Sequence, residues 1–259
     1  MIDRRVTGVV LALGVLAGPA AGQTDYYNTD EGRPVRIEDA APVERYAFEI
    51  QLAPLRVERE RGAYNWELAP ELAYGIFPRT QVEVGFPIAF VDGGGEGLAG
   101  IEVSALHNFN TETRTLPALA LMGSVHLPVG GLGPDDTYAS VKGIATRTFR
   151  WARFHANAQY TLGPEAEEAG EASRWMAGLA VDRAFPLRSL LVTADLFAEQ
   201  PLSDDEDPEW TAETGLRYQT SPQFNVDVGV GRRLSGDQGW FFTVGAAHAF
   251  ALRSLLPGR

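Results

Sequence analysis

The sequence predicts an all-β protein, an antiparallel transmembrane β-barrel of about twelve strands, and three observations predict it. Apolar and non-apolar side chains alternate with a period of two from Tyr46 to Phe250, the period of a strand whose faces meet different surroundings. Short connections alternate with longer Gly-rich or acidic ones. No stretch beyond the N-terminus approaches the ~20 apolar residues of a membrane helix, so a membrane role must rest on strands. Alternation alone also fits a soluble barrel or sandwich with the pattern turned inside out. About twelve strands exceeds the roughly eight of a soluble up-and-down barrel. The non-apolar face is rich in Gly, Ala, Glu and Asn, and Lys142 is the only lysine. Aromatic residues gather near strand ends, as interfacial girdles do. A soluble exported β-protein stays as the alternative.

The chain opens with Arg4 and Arg5, a largely apolar run over 6–17 and the small residues Ala20, Ala21 and Gly22. This predicts a cleaved signal peptide over 1–22, with an uncleaved anchor as the other reading. Residues 23–45 are polar, contain Gly and Pro, and keep no sustained period. They are expected to form a periplasmic N-terminal segment folded against or into the barrel.

Strands follow over 46–250. The first alternates Tyr46, Phe48, Ile50 and Leu52 with Ala47, Glu49 and Gln51. The second sets Tyr64, Trp66, Leu68, Leu72 and Tyr74 against Asn65, Glu67 and Glu71, and the third Val82, Val84, Phe86, Ile88 and Phe90 against Gln81, Glu83 and Gly85. The fourth and fifth carry Ile101, Val103 and Ala105, then Leu119, Leu121 and Val125, opposite Glu102, Ser104, Ser124 and His126. A sixth over 138–149 has no clearly apolar face. The seventh alternates Phe154, Ala156, Ala158, Tyr160 and Leu162 with Arg153, His155 and Asn157. Strands over 174–182 and 190–199, then Trp210 to Tyr218 and Phe224 to Val230, lead to the last, 238–250, which sets Trp240, Phe242, Val244, Ala246, His248 and Phe250 on one face.

The connections at 77–80, 150–151, 185–188 and 220–222 are short and the one at 110–115 is slightly longer; those at 92–97, 130–136, 163–171, 203–209 and 235–238 are Gly-rich or acidic. From a periplasmic N-terminus this parity puts the short turns in the periplasm and returns the last strand there. That strand is expected to pair with the first and close the barrel, leaving a tail over 251–259.

A net charge of −12 argues against nucleic acid as a partner. Without cysteine there is no disulfide, thiolate chemistry or lipidated N-terminal cysteine. The ionisable residues expected to line the lumen are Glu49, Glu67, Glu71, Glu83, Glu102, Arg153, His155, Asp195, Glu213, Arg217 and Asp227. They could tune the passage of a solute, or simply pair across the interior, since an unpaired buried charge is the costlier state. Glu67 and Glu71 lie ~13 Å apart along a strand, too far for a carboxylate dyad. A barrel enzyme acting on lipids would need an outward His with Ser near the rim. His107 and His248 point outward but have no serine on their own face. No catalytic residue, metal site or cofactor is therefore expected. The acidic runs at 163–171 and 203–209 lack the ligand spacing of a Ca²⁺ loop.

Residues 30–40 (DEGRPVRIEDA) and 44–51 (ERYAFEIQ) resemble the leading segment of the phenol-degradation meta-pathway outer-membrane family. LAPELAYGI at 68–76, TQVEVGFPI at 80–88, GLAGIEV at 97–103 and HLPVG at 126–130 continue the likeness. The resemblance implies an outer-membrane barrel passing small, including aromatic, compounds. It carries no binding residue with it, and the tail beyond Phe250 departs from the usual barrel end. The expected role is a channel or facilitated-diffusion transporter in the outer membrane of a Gram-negative cell. Its partners would be outer-membrane lipid, a small-molecule solute and, during insertion, the barrel-assembly machinery. A lipid-modifying barrel enzyme and a structural or adhesive barrel with a plugged lumen are the alternatives. The many small inward residues favour a passage over a packed interior, though the N-terminal segment could plug it.

Overall fold

A membrane-spanning sheet cannot leave an edge unpaired in hydrocarbon, so it must close on itself. In the computed structural model, which describes residues 28–52, 54–60, 62–164, 173–202, 207–236, 238–252 and 255, it does. The first eight segments are short: β1 Ala47–Gln51, β2 Leu55–Glu60, β3 Ala63–Leu68, β4 Glu71–Phe77, β5 Thr80–Gly85, β6 Ile88–Val91, β7 Gly95–Leu98 and β8 Ile101–Asn108. Longer ones follow: β9 Ala118–Leu127, β10 Tyr138–Thr148, β11 Arg153–Leu162, β12 Ser173–Ala184, β13 Leu190–Pro201, β14 Glu209–Ser221, β15 Phe224–Arg233 and β16 Trp240–Ala251.

All sixteen join one sheet, but the first eight make only four crossings, so the barrel has twelve strands. Each of these crossings is broken near its middle, at Pro54, Pro70, Pro87 or Gly100. Proline cannot donate to a ladder. Neighbouring amides span the breaks: Leu52 to Ala246 O at 2.8 Å, Ala69 to Pro54 O at 3.1 Å, Phe86 to Pro70 O at 3.0 Å and Ala99 to Pro87 O at 2.8 Å. The breaks therefore line up as one crease across four adjacent crossings.

β16 closes the barrel by pairing with both halves of the first crossing. Ala47 to Gln51 face Ala251 to Ala247, and Leu55 to Arg59 face Val244 to Trp240. The closing pair expected from the sequence is present, and β2 is an addition to it. The first strand continues beyond Leu52 because Pro54 resets the alternation rather than ending the crossing. Glu49 and Gln51 point inward before it, Arg56 and Glu58 after it. Likewise Gly95–Leu98, whose first three residues were expected within a loop, is strand β7, with Glu96 opposite Phe90.

The faces are those of a membrane barrel rather than a soluble one. On β15, outward Val226, Val228 and Val230 are 37–49% exposed, while inward Asn225 and Asp227 are 1–2% exposed. An apolar exterior around a buried polar interior is the lipid-facing arrangement. Exposed Phe77, Phe109, Phe149, Trp151 and Phe185 ring the end with the short turns, and Tyr64, Trp66, Trp210 and Trp240 the other. Phe48 stacks between Tyr74 and Phe250 at centroid distances of 4.4 and 5.3 Å, packing the seam on its outer side. Arg147, outward near the short-turn rim, donates to the carbonyls of Thr113 at 2.5 Å, Leu116 at 3.0 Å and Arg114 at 2.6 Å. Its charge is thereby turned out of the hydrocarbon. The expected signal peptide, most of the tail and most of the acidic runs at 163–171 and 203–209 lie outside the described residues.

Candidate functional site in the barrel lumen

An extended peptide enclosed by a barrel has no ladder partner for its amides, so inward side chains must satisfy them. Residues 28–45 meet that demand in turn. The backbone N–H of Arg36 donates to Glu213 Oε2 at 2.6 Å, and that of Ile37 to Asp195 Oδ2 at 2.9 Å. Glu38 N–H donates to Asn157 Oδ1 at 3.0 Å, and Ala40 N–H to Thr146 Oγ1 at 3.0 Å. Val43 N–H reaches Gln81 Oε1 at 2.5 Å on the opposite wall. Asn157 Nδ2 returns a bond to Glu38 O at 2.9 Å, and Asn108 Nδ2 donates to Ala40 O at 2.7 Å. β14, β13, β11 and β10 thus each offer one acceptor as the segment crosses them.

Apolar contacts and steric room complete the seat. Ile37, fully buried, packs on Met176, Ala180 and Phe197, and Ala40 on Leu106, Ala120, Met122 and Ile144. A Cβ added to Gly229 would lie 2.2 Å from Pro34 O, and one on Gly215 would lie 2.6 Å from the Pro34 ring. One on Gly178 would meet Ile37 Cδ1 at 2.6 Å. These small residues, expected from the sequence to leave a passage, instead make room for the chain's own N-terminal segment.

Two ionic clusters fix the segment's start and middle. Arg33 Nη2 donates to Asp227 Oδ2 at 2.6 Å and to Asn225 Oδ1 at 3.1 Å, with the guanidinium fully buried. Arg217 caps this pair, donating to Arg33 O at 2.5 Å, to Asp30 Oδ2 at 3.2 Å and to Asn28 O. Burial would lower the pKa of Arg33, but Asp227 and Asp30 outweigh it and raise it. In the second cluster the single lysine, Lys142, bonds both Glu31 and Glu38, the latter at 2.5 Å. Arg36 adds a 2.9 Å pair to Glu31. One ammonium between two carboxylates drives them apart. Burial favours the neutral form of both, yet Arg36 and Lys142 hold Glu31 down to about 2. Glu38, more deeply buried and facing Glu31's charge, is pushed up to about 7 despite Lys142.

A third chain of bonds runs from Ala40 into the wall. Thr146 Oγ1 accepts from Ala40 N–H and contacts His155 Nδ1 at 3.0 Å, while His155 Nε2 meets Asp182 Oδ2 at 2.9 Å. Thr146 then donates to Nδ1, and the Nε2–H donates to Asp182, which fixes one tautomer by its partners. Arg153 grips the same carboxylate at 3.0 and 2.7 Å and approaches Asp39 at 3.5 Å. The Thr-His-Asp order resembles a hydrolytic arrangement, but the threonine is buried under Ala40 and holds its amide.

The sequence-selected residues thus divide between two walls. Asp195, Glu213, Arg217, Asp227, His155 and Arg153 lie on β11 to β15 and contact the segment or its supports. Glu49 is buried on β1, within electrostatic reach of Asp30, Arg33 and Arg217. Glu67, Glu71, Glu83 and Glu102 stand on the opposite wall and stay partly exposed. Glu67 and Glu71 fall on separate segments, β3 and β4. Alternation placed Asn157, Asn108, Gln81 and Asn225 on the inward face, but a search for ionisable groups selected neither these neutral acceptors and donors nor Thr146. It also missed that Arg33, Glu31 and Glu38 are their partners. His107 bonds Thr80 Oγ1 at 2.9 Å, and His248 lies between the rings of Phe224 and Phe250. Among the described residues no His, Asp and Glu cluster is arranged to hold a metal ion.

No family model and no curated protein matches the chain. Solved structures do. The KdgM porin superposes with a TM-score of 0.55 at 13% identity, covering 78% of this chain and 99% of its own. An outer membrane channel from Pseudomonas putida F1 gives 0.55 at 11% identity, covering 86% and 100%. The NanC porin gives 0.56 at 8% identity, covering 78% and 98%. The fold is that of outer-membrane barrels.

Proposed function

We propose that this chain is an outer-membrane channel for small molecules, held in a restricted state by its own N-terminal segment. The carrying observation is the asymmetry of the lumen. Most inward side chains on β10 to β16 are buried, many of them against the segment, whereas Glu67, Glu71, Glu83, Glu102 and His126 on the facing wall stay partly exposed. A polar path beside a fixed segment suits slow passage of small solutes. The porin neighbours support this, and one of them, KdgM, has been solved in complex with disordered oligogalacturonate. The resemblance to the phenol-degradation meta-pathway family begins at residues 30–40, the part of the chain seated in the lumen, and continues along the strands. It extends the proposed solutes to small aromatic compounds. Location in the outer membrane, export by a signal peptide over 1–22 and insertion by the assembly machinery belong to the same proposal.

Planar-bilayer recording tests it. The purified barrel should give small, resolvable conductance steps, and a variant lacking residues 28–45 larger ones. A second reading, a structural barrel sealed by its segment, is favoured by the same buried contacts. Heat-modifiable, folded protein that carries no current in either form would establish it instead.

A further inference from the structure

Registered pairing brings one transverse row of the open wall together. Gln51 on β1 faces Glu71 on β4, Glu71 faces Gly85 on β5, Gly85 faces Glu102 on β8, and Glu102 faces His126 on β9. All five point inward. Gly85 makes a notch at the centre of the row, and the Glu71 carboxylate leans toward it. A Cβ built there would lie 3.4 Å from Glu71 Cγ, 3.6 Å from Glu71 Oε1 and 3.7 Å from Glu102 Cβ. Glu102 is steadied from behind by His126 Nε2 at 3.0 Å. Glu71 has neither an ion pair nor a side-chain hydrogen bond among the described residues.

Gln51 supplies an independent observation. Its side chain is 1% exposed, yet its Oε1 has no hydrogen-bond donor. A buried amide carbonyl without a donor is costly, and here it sits beside an unpaired carboxylate. The row therefore offers acceptors from Gln51, Glu71 and Glu102 and asks for a donor that the wall does not provide. The segment across the passage does not provide it either. The segment charges that act on Glu71 are Glu31 and Asp30, both acidic, and Arg36, which acts on Glu102, is paired with Glu31 at 2.9 Å. Lys142 is likewise committed to Glu31 and Glu38.

We propose that the passage is selective for cations, and that Gln51, Glu71 and Glu102 around the Gly85 notch bind small ammonium or guanidinium compounds on their way through. This rests on the channel reading and adds the charge of the solute to it. Carboxylate rings select cations by desolvation traded against direct contact, and a multi-donor organic cation suits three acceptors set side by side along one row. The inference separates this barrel from the KdgM porin, solved in complex with oligogalacturonate.

The test is the reversal potential of single channels under a tenfold KCl gradient. Wild type should reverse toward the potassium equilibrium potential, and agmatine added to one side should reduce the potassium current. The double variant Glu71→Gln, Glu102→Gln should lose most of both effects, whereas Glu112→Gln, in a short turn, should keep them. Should the double variant not fold, the wild-type reversal potential decides alone. Current with no cation preference, or with an anion preference, overturns this inference while leaving the channel standing. Absence of current from folded barrel overturns the channel reading itself, and this inference with it.

Discussion

Arg33 donates to Asp227 across 2.6 Å with neither side chain exposed, and 194 residues separate them along the chain. A buried guanidinium tolerates this position because a carboxylate, Asn225 and the barrel's polar interior replace its water. Asp227→Ala would leave Arg33 desolvated and alone, a loss of about 3–5 kcal/mol. The expected result is a barrel that still shifts on a heat-modifiability gel but whose residues 28–45 become cleavable by added protease. Unchanged protection of those residues would mean that the pair does not hold the segment.

Gly229 gives a steric test of the same seat. In Gly229→Ala the new methyl group would fall 2.2 Å from Pro34 O, a backbone atom with no rotamer to escape through. Overpacking of this kind costs about 1–3 kcal/mol. The segment should unseat before the wall gives way, so single-channel conductance should rise toward that of the form lacking residues 28–45. A variant with lower stability and wild-type conductance would place the strain in the wall instead.

The Glu31–Lys142–Glu38 cluster makes the seating of the segment pH-dependent. Glu38, raised to about 7, takes up a proton on seating, so its contribution is full below the ordinary carboxylate value of about 4.3 and is lost as pH rises through 7. Glu31, lowered to about 2, contributes above about 4.3 and loses that contribution as pH falls toward 2. From pH 5 to pH 8 the segment should therefore loosen, seen as faster cleavage relative to an unfolded control peptide. Glu38→Gln should flatten that slope; an equally steep profile in the variant would assign it to other groups.

Leu179 tests the lipid face. It is 66% exposed in the middle of β12, outward and between two apolar neighbours in register, Ala156 and Leu196. Leu179→Arg should destabilise the folded barrel in vesicles by about 2–4 kcal/mol, the midplane cost of arginine. The measurement is the denaturant midpoint in lipid. A change below about 0.5 kcal/mol, usual for a plain surface substitution, would contradict a lipid-exposed position.

The fold was legible because a strand's period survives in any sequence that must present two different faces. Val226, Val228 and Val230 against Asn225, Asp227 and Gly229 need no context to be read. What escaped was the phase change at Pro54, since a single inserted residue moves Arg56 and Glu58 to the faces opposite those their spacing from Gln51 predicts. Strand β7 escaped for another reason. Its glycines, Gly95 and Gly97, speak for a loop, and only pairing with Val91 and Ala89 makes them a strand. The lumen's contents were the least legible part. Glu213 and Asp195 could be placed inward by alternation, but their partners are backbone amides of Arg36 and Ile37, and an amide leaves no trace in residue identity. Likewise Gly215 and Gly229 read as empty space, because the sequence does not say that Pro34 fills it.

The inward side chains that hold residues 28–45 belong to strands made much later in synthesis. The bonds from Ile37 to Asp195, from Arg33 to Asp227 and from Thr243 to Pro34 span 158, 194 and 209 residues. Contacts so distant along the chain form late, because the intervening loop must be ordered first. The earliest described residues therefore cannot reach their final place until β13 to β16, which carry those partners, have been made. A chain caught before that point would expose both unfilled inward polar groups and a loose leading segment.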